Sequence, residues 1–230
     1  MANKVLAAVR TAPGKTEIRE FPMPDIPPDG ALMKMEVGGI CGTDVKLYKH
    51  PPTKEHVIMG HENIGTIAKA GREFTARKGF KEGDLVFVEH YVSCGKCEWC
   101  HAGQYRHCEN TNWRTNPDAI RYGYTSAEKA PHLWGGFAQY VYLPWNAVVH
   151  HVPKGVSPEL AGLVTPMANG VEWTTLTNFI ARSLLSKAAG KPVKLVWQRE
   201  ADIRGGKFRP ATAHYLEAGL DASGKLTAWR

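Results

Sequence analysis

Cys94-Gly-Lys-Cys97-Glu-Trp-Cys100, followed by Cys108, decides how the rest of this chain is read. Four of the five cysteines fall within fifteen residues, in the pattern C-x2-C-x2-C-x7-C. Spacing this tight matches a closed tetrahedral zinc site, which has no open position and builds structure without doing chemistry. A disulfide framework is the competing reading. The chain opens Met1-Ala-Asn-Lys-Val-Leu-Ala-Ala-Val-Arg10, an apolar stretch too short for a signal peptide, and no apolar run reaches membrane-spanning length. A cytoplasmic protein with no membrane partner is therefore expected. A reducing compartment disfavours disulfides and favours a metal.

The 230 residues suffice for one large or two small domains. Hydrophobic residues make up 43% and charged residues 22%, the balance of an ordinary soluble globular protein. A net charge of +7 reads first as a solvated basic surface, and second as a field that steers anionic partners such as phosphorylated cofactors. No dense Lys/Arg run interleaves with aromatics, so no nucleic-acid partner is expected.

Outward from the cysteines, short strand-like runs alternate with Gly/Pro turns. Residues 1–30 read as a strand, a turn at Pro13-Gly14, a second strand and an extended arm, where Pro22, Pro24, Pro27 and Pro28 forbid a helix. Further strands are predicted over 31–38, around 64–70, over 85–89 and within 137–149. Many short strands of this kind predict an antiparallel, barrel-like domain. After Pro153 the pattern changes. Ser157-Pro158-Glu159-Leu160 is a helix start, with Ser as cap and Pro in the first turn. A helix is expected over about 176–189, ended by Gly190, then a strand over 192–197 and a hairpin pairing 212–220 with 225–230.

Two segments upstream of the cysteines carry reactive chemistry. Cys41-Gly-Thr43-Asp44 and Gly60-His61-Glu62 supply metal ligands of mixed type, as a catalytic zinc site with one open position requires. Gly39 and Gly42 leave little side-chain bulk near Cys41. Glu62 can ligate directly or tune the site from behind, Asp44 can orient His61, and Thr43 can pass a proton between an alcohol and solvent. Taken singly, Cys41 reads as a small buried hydrophobe and His61 as a hydrogen-bonded core histidine. Beside the cysteine cluster that balance reverses. The remaining histidines, His90 among them, have no comparable context and read as surface or structural residues.

Residues 1–173 resemble the N-terminal part of medium-chain, zinc-dependent alcohol dehydrogenases. The matching segments are Gly39-Ile-Cys41-Gly-Thr43-Asp44, Gly60-His61-Glu62-Asn-Ile-Gly65 with Gly71 following, Gly83-Asp84, and the Cys94–Cys108 lobe, in the family's order and spacing. The resemblance implies a mainly β, GroES-like barrel with a structural zinc lobe held by Cys94, Cys97, Cys100 and Cys108. It also implies a catalytic zinc on Cys41 and His61, with Thr43 in the proton relay, Asp44 behind the ligands, and hydride transfer between a small alcohol or aldehyde and NAD(P). One departure concerns the metal. The family draws another ligand from a segment that reads here Gly162-Leu-Val-Thr165-Pro-Met-Ala-Asn169-Gly170, which puts Thr165, a poor zinc ligand, in that place and leaves Glu62 to substitute.

The other departure concerns the cofactor. No G-x-G-x-x-G follows residue 173, so no complete Rossmann domain is expected. Residues 174–230 are expected instead to form a small α/β segment of helix, strand and β-hairpin. Leu184 to Glu200, Arg209-Pro210 and Ala218 to Arg230 resemble an internal stretch of the molybdenum-cofactor subunit of xanthine dehydrogenase and aldehyde oxidase relatives. That family's glycine-rich cofactor loop is missing here, so no catalytic residue carries over. The two resemblances belong to unrelated folds. They imply a chimera of two fragments joined between Val171 and Leu176. Three functions follow. One is an alcohol dehydrogenase-type oxidoreductase, incomplete in this chain. Another is a non-catalytic zinc-stabilised barrel that pairs with another chain or with itself as a homo-oligomer. The third, molybdenum hydroxylase activity, fails because so short a segment cannot enclose that cofactor.

Overall fold

The computed structural model describes residues 4–112, 116, 118–168, 218–220 and 226–229. The chain divides into two compact units, Met1–Val164 and Thr165–Arg230.

In the first unit, β1 (Lys4–Ala12) and β2 (Lys15–Pro22) form a hairpin about Pro13-Gly14, and β4 (Val57–Ile58) pairs with the other edge of β1. A five-stranded sheet runs in the order β7-β3-β5-β6-β8, built from β3 (Ala31–Gly39), β5 (Glu62–Ala70), β6 (Leu85–Val92), β7 (Tyr140–Leu143) and β8 (Ala147–His151). Every pairing is antiparallel. The mainly-β expectation holds. The alternating run within 137–149 becomes two strands because Pro144, which has no N–H to give a ladder, interrupts it.

Alternation decides what is buried. Val5, Ala7 and Val9 on β1 pack with Leu32, Ile58 and Leu133 in one apolar cluster. Met33, Ile67, Phe74, Val86, Val88 and Val141 lie in a second. Leu32 and Met33 are neighbours on β3, so this strand feeds both clusters from its opposite faces. The unit also carries the short helices α1 (Gly42–Lys49), α2 (Arg72–Lys78), α3 (Glu98–His101) and α4 (Pro158–Ala161). Only α4 has the sequence signal read above, and Ser157 caps it by accepting from the Leu160 N–H. The others are too short for an apolar period to show.

In the second unit, β9 (Ala218–Leu220) pairs antiparallel with β10 (Leu226–Trp229), as the hairpin reading requires. The helix and strand expected over 176–189 and 192–197, and the junction near 171–176, lie outside the described residues. No described helix is long and apolar enough to cross a membrane.

Candidate metal centres

Sheet register brings the first centre together. Cys41 follows the end of β3, His61 precedes β5, and the antiparallel pairing of Gly39 with Glu62 places the two strand ends side by side. Cys41 Sγ lies 3.2 Å from His61 Nε2. A tetrahedral zinc at ordinary bond lengths spaces a sulfur and a nitrogen about 3.6 Å apart, so the pair sits close to ligand spacing. A Glu62 carboxylate oxygen completes the set, with all three ligand atoms within 4.8 Å of one another.

Cys41 has a second task. It caps α1, where its Sγ accepts from the Thr43 N–H at 3.2 Å and its own N–H donates to Asp44 Oδ2 at 2.9 Å. The N-terminal end of the helix therefore faces the sulfur. Asp44 is 2% exposed and its Oδ1 stands 3.2 Å from His61 Nδ1. Neither of those two atoms makes a well-aligned hydrogen bond, so the contact acts through charge. Asp44 thereby favours the tautomer with Nδ1 protonated and Nε2 free for a metal. Burial works against the Asp44 charge, but His61 and the Cys41 N–H outweigh it and hold the carboxyl below the usual range. Burial pushes Glu62 the other way, upward; His61 opposes and Asp44 adds to the rise.

Gly39 is required by this packing. A Cβ there would lie 2.1 Å from Glu62 Oε2 and 2.8 Å from Glu62 Cβ. Gly39→Ala is expected to swing the Glu62 carboxylate away and weaken metal binding at this centre about tenfold, with the cysteine lobe still loaded. Competition with a chromophoric chelator measures the loss, and an unchanged affinity would remove Glu62 from the site.

Two rings close over His61. His90 meets it edge-on at 5.6 Å and Tyr124 lies tilted at 5.8 Å. Arg121 Nη2 donates to His90 Nε2 at 2.9 Å. His90, read from the sequence as a surface or structural residue, is brought beside His61 by these contacts. The signal was available: Val86, Val88 and Val92 alternate as buried residues along β6, and His90 falls on their face. Arg121 and Tyr124 had no local signal, because a loop brings them in. A cavity of about 200 Å³ adjoins Asp44, lined mostly by apolar groups of Ile40, Val45, Met59 and Phe137.

The second centre is the cysteine lobe. Its four sulfurs all lie within 4.8 Å of one another. Cys97 and Cys100 are 3.5 Å apart, and Cys94 and Cys100 4.0 Å. A zinc–thiolate tetrahedron has sulfur–sulfur edges of about 3.8 Å, which these separations bracket. All five cysteines are free thiols. Gly95, at φ 71°, supplies the left-handed turn that sends Lys96 N–H back toward Cys94 Sγ at 3.5 Å. Burial opposes ionisation of Cys94, yet hydrogen bonds from Lys96, Asn110 and Cys97 bring its thiol down to about 6. Burial pushes Cys108 up to about 12. Four sulfurs this close cannot all ionise unaided, and a divalent cation among them removes the conflict. The donor set therefore fits zinc. The lobe is fastened to the sheet where Tyr105 donates to Glu89 on β6 and where Asn146 Nδ2 donates to Ser93 O at 2.6 Å.

Two antiparallel sheets with a four-sulfur lobe and a Cys/His/Glu centre at strand ends define a class, and comparison identifies it. Residues 27–154 match the family described as "Alcohol dehydrogenase GroES-like domain". The chain belongs to that family. A Mycobacterium tuberculosis protein named "Probable alcohol dehydrogenase adh" is 37% identical over 170 residues, covering 74% of this chain and 45% of the relative. The L-threonine 3-dehydrogenase of Symbiobacterium thermophilum is 32% identical over 211 residues, covering 89% of this chain and 54% of its own length. Among solved structures, an alcohol dehydrogenase from Thermus sp. ATN1 superposes with a TM-score of 0.55 at 27% identity, over 67% of this chain and 42% of that one. A Sinorhizobium meliloti protein assigned to the zinc-binding dehydrogenases and solved with NADP bound gives 0.58 at 26% identity, over 75% and 45%. The chain spans about half the length of the curated relatives it matches.

Proposed function

We propose that this chain provides the metal-binding part of a zinc-dependent, alcohol dehydrogenase-type oxidoreductase that interconverts a small alcohol and its carbonyl product with NAD(P). The observation that carries the reading is the convergence of Cys41, His61 and Glu62 ligand atoms within 4.8 Å, with Asp44 packed behind His61. Zinc held by these three residues would supply Lewis acidity that lowers the pKa of an alcohol's hydroxyl. Glu62 takes the place that Thr165 cannot fill. The transfer of a proton between alcohol and solvent is assigned to Thr43, which lies exposed in the first turn of α1. The four cysteines of the lobe hold a second, structural zinc, and the thiols stay reduced in the cytoplasm.

Zinc analysis tests this directly. Two ions per chain are expected, falling to one in Cys41→Ala while the lobe keeps its own. One ion in the wild-type chain would abolish the reading. A second reading keeps the structural zinc and drops the chemistry: the chain is a non-catalytic, zinc-stabilised barrel that acts through a partner chain or a second copy. It draws on the cysteine lobe alone, whose four sulfurs lie within 4.8 Å of one another. The same zinc count separates the two, since the second reading needs only the ion of the cysteine lobe. We also read residues 1–173 as the GroES-like domain and 174–230 as a fragment resembling the molybdopterin-binding domain, joined as a chimera. Amplifying the genomic DNA across the codons for 171–176 tests whether one uninterrupted reading frame encodes both parts.

A further inference from the structure

We infer that Arg121 makes the centre formed by Cys41, His61 and Glu62 selective for alcohols that carry an anionic oxygen group, a carboxylate or a phosphate. This inference rests on the metal-site reading above and names the substrate class of that site.

Arg121 is partly buried, and its guanidinium lies between two aromatic faces, with Cζ 4.7 Å from the Tyr91 ring centre and 4.2 Å from that of Tyr124. Tyr124 is the ring that packs against His61, so a single side chain separates the guanidinium from the candidate metal ligand. Hydrogen bonding uses little of the group. Nη2 donates to His90 Nε2, and Nε is buried with no hydrogen-bond partner. Among the described residues, no carboxylate forms an ion pair with Arg121. The contrast within this molecule is informative. Arg19, partly buried like Arg121, and Arg77, on the surface, each have a glutamate at 3.1 Å. The arginine near the metal centre has two tyrosine faces and a ring nitrogen of His90.

A cation taken partly out of water is costly unless an opposite charge meets it, and arginine is the side chain whose planar fork suits a carboxylate or phosphate. Cation–π contacts with Tyr91 and Tyr124 hold the guanidinium in place without neutralising it. The missing counter-ion is thus left for the ligand to bring. An alcohol whose hydroxyl reaches the Cys41–His61–Glu62 centre and whose other end bears an anionic oxygen satisfies both groups at once. Arg121 is then the group that binds the far end of the substrate, and its contribution belongs to recognition.

Calorimetric titration of the zinc-loaded full chain tests the inference with 3-hydroxybutyrate, glycerol 3-phosphate and neutral 2-butanol as probes. At least one of the anions is expected to bind about tenfold more tightly than 2-butanol, and which one distinguishes carboxylate from phosphate. Arg121→Gln is expected to remove that advantage, bringing the anion-to-neutral affinity ratio down to about one, while Arg121→Lys keeps part of it. In the wild-type chain, rising salt should erode anion binding alone, a readout that needs no variant and that a merely structural role would not produce. An anion-to-neutral ratio equal in wild type and Arg121→Gln, or independent of salt, overturns the inference. The zinc count on the same samples keeps two failures apart. Two zinc ions without Arg121 dependence sink the anion selectivity alone. A single zinc ion sinks the metal-site reading, and the substrate assignment falls with it.

Discussion

Cys97→Ser is expected to strip one zinc ion from the chain and to lower its melting temperature by about 10 °C or more. The lobe contains little else to hold it. Its regular structure is the four-residue α3 and two three-residue 3-10 turns, and α3 has no buried residue. Of the four cysteines only Cys108 is buried, so the lobe lacks an apolar core of its own. In such a segment the metal bonds take over the work that burial does elsewhere, and metal binding becomes folding free energy. Loss of a structural metal ranks among the large single-site effects, on the order of 4 kcal/mol or more. For a chain of this size each kcal/mol shifts the melting temperature by about 2–4 °C. A chelator should reproduce the shift in the wild-type chain and add little in the variant. An unchanged melting curve with an unchanged zinc count would show that the four sulfurs hold nothing.

Asp44→Ala is expected to cost about 3 kcal/mol and to weaken metal binding at Cys41 and His61 by about 10- to 100-fold. Two losses coincide in this one carboxylate. The Cys41 N–H at the start of α1 loses its acceptor, and His61 loses the charge 3.2 Å from Nδ1. Asp44→Asn separates them, since an amide oxygen can still accept from Cys41 but carries no charge. It should recover most of the stability and little of the metal affinity. The carboxyl is held below its usual range, so its stabilising contribution is complete above the unfolded-state value and is lost as the pH falls through the lowered folded-state value. The acid limb of the stability profile should therefore flatten in Asp44→Ala. Equal metal affinity in wild type and Asp44→Ala would exclude Asp44 as the residue that orients His61.

The sequence revealed those parts that depend on local spacing. The cysteine lobe, the strands of alternating pattern and the Cys41/His61/Glu62 triad all lie in short motifs whose spacing carries the chemistry. Less visible were features that arise only when distant segments meet. α1 and α2 are eight and seven residues long, below the length at which a helical period declares itself. His90 looked ordinary because its neighbours Glu89 and Tyr91 are unremarkable as ligands. Its importance comes from standing opposite His61 and Arg121 in space. Gly39 was read as a way to lighten crowding at Cys41, and the structure adds that its missing Cβ is where the Glu62 side chain lies.

The cap formed by Cys41 on α1 separates the two centres in their order of assembly. Backbone hydrogen bonds, strand register and the Asp44 carboxylate already hold Cys41, His61 and Glu62 in place, so an arriving ion finds this trio preorganised and little chain entropy remains to be lost. The lobe has fewer ties to the sheet, from Tyr105 to Glu89 and from Asn146 to Ser93, so an ion bound there would do more to order the chain around it. Uptake at the first centre would be a docking event on a finished surface, and uptake at the second a step in maturation.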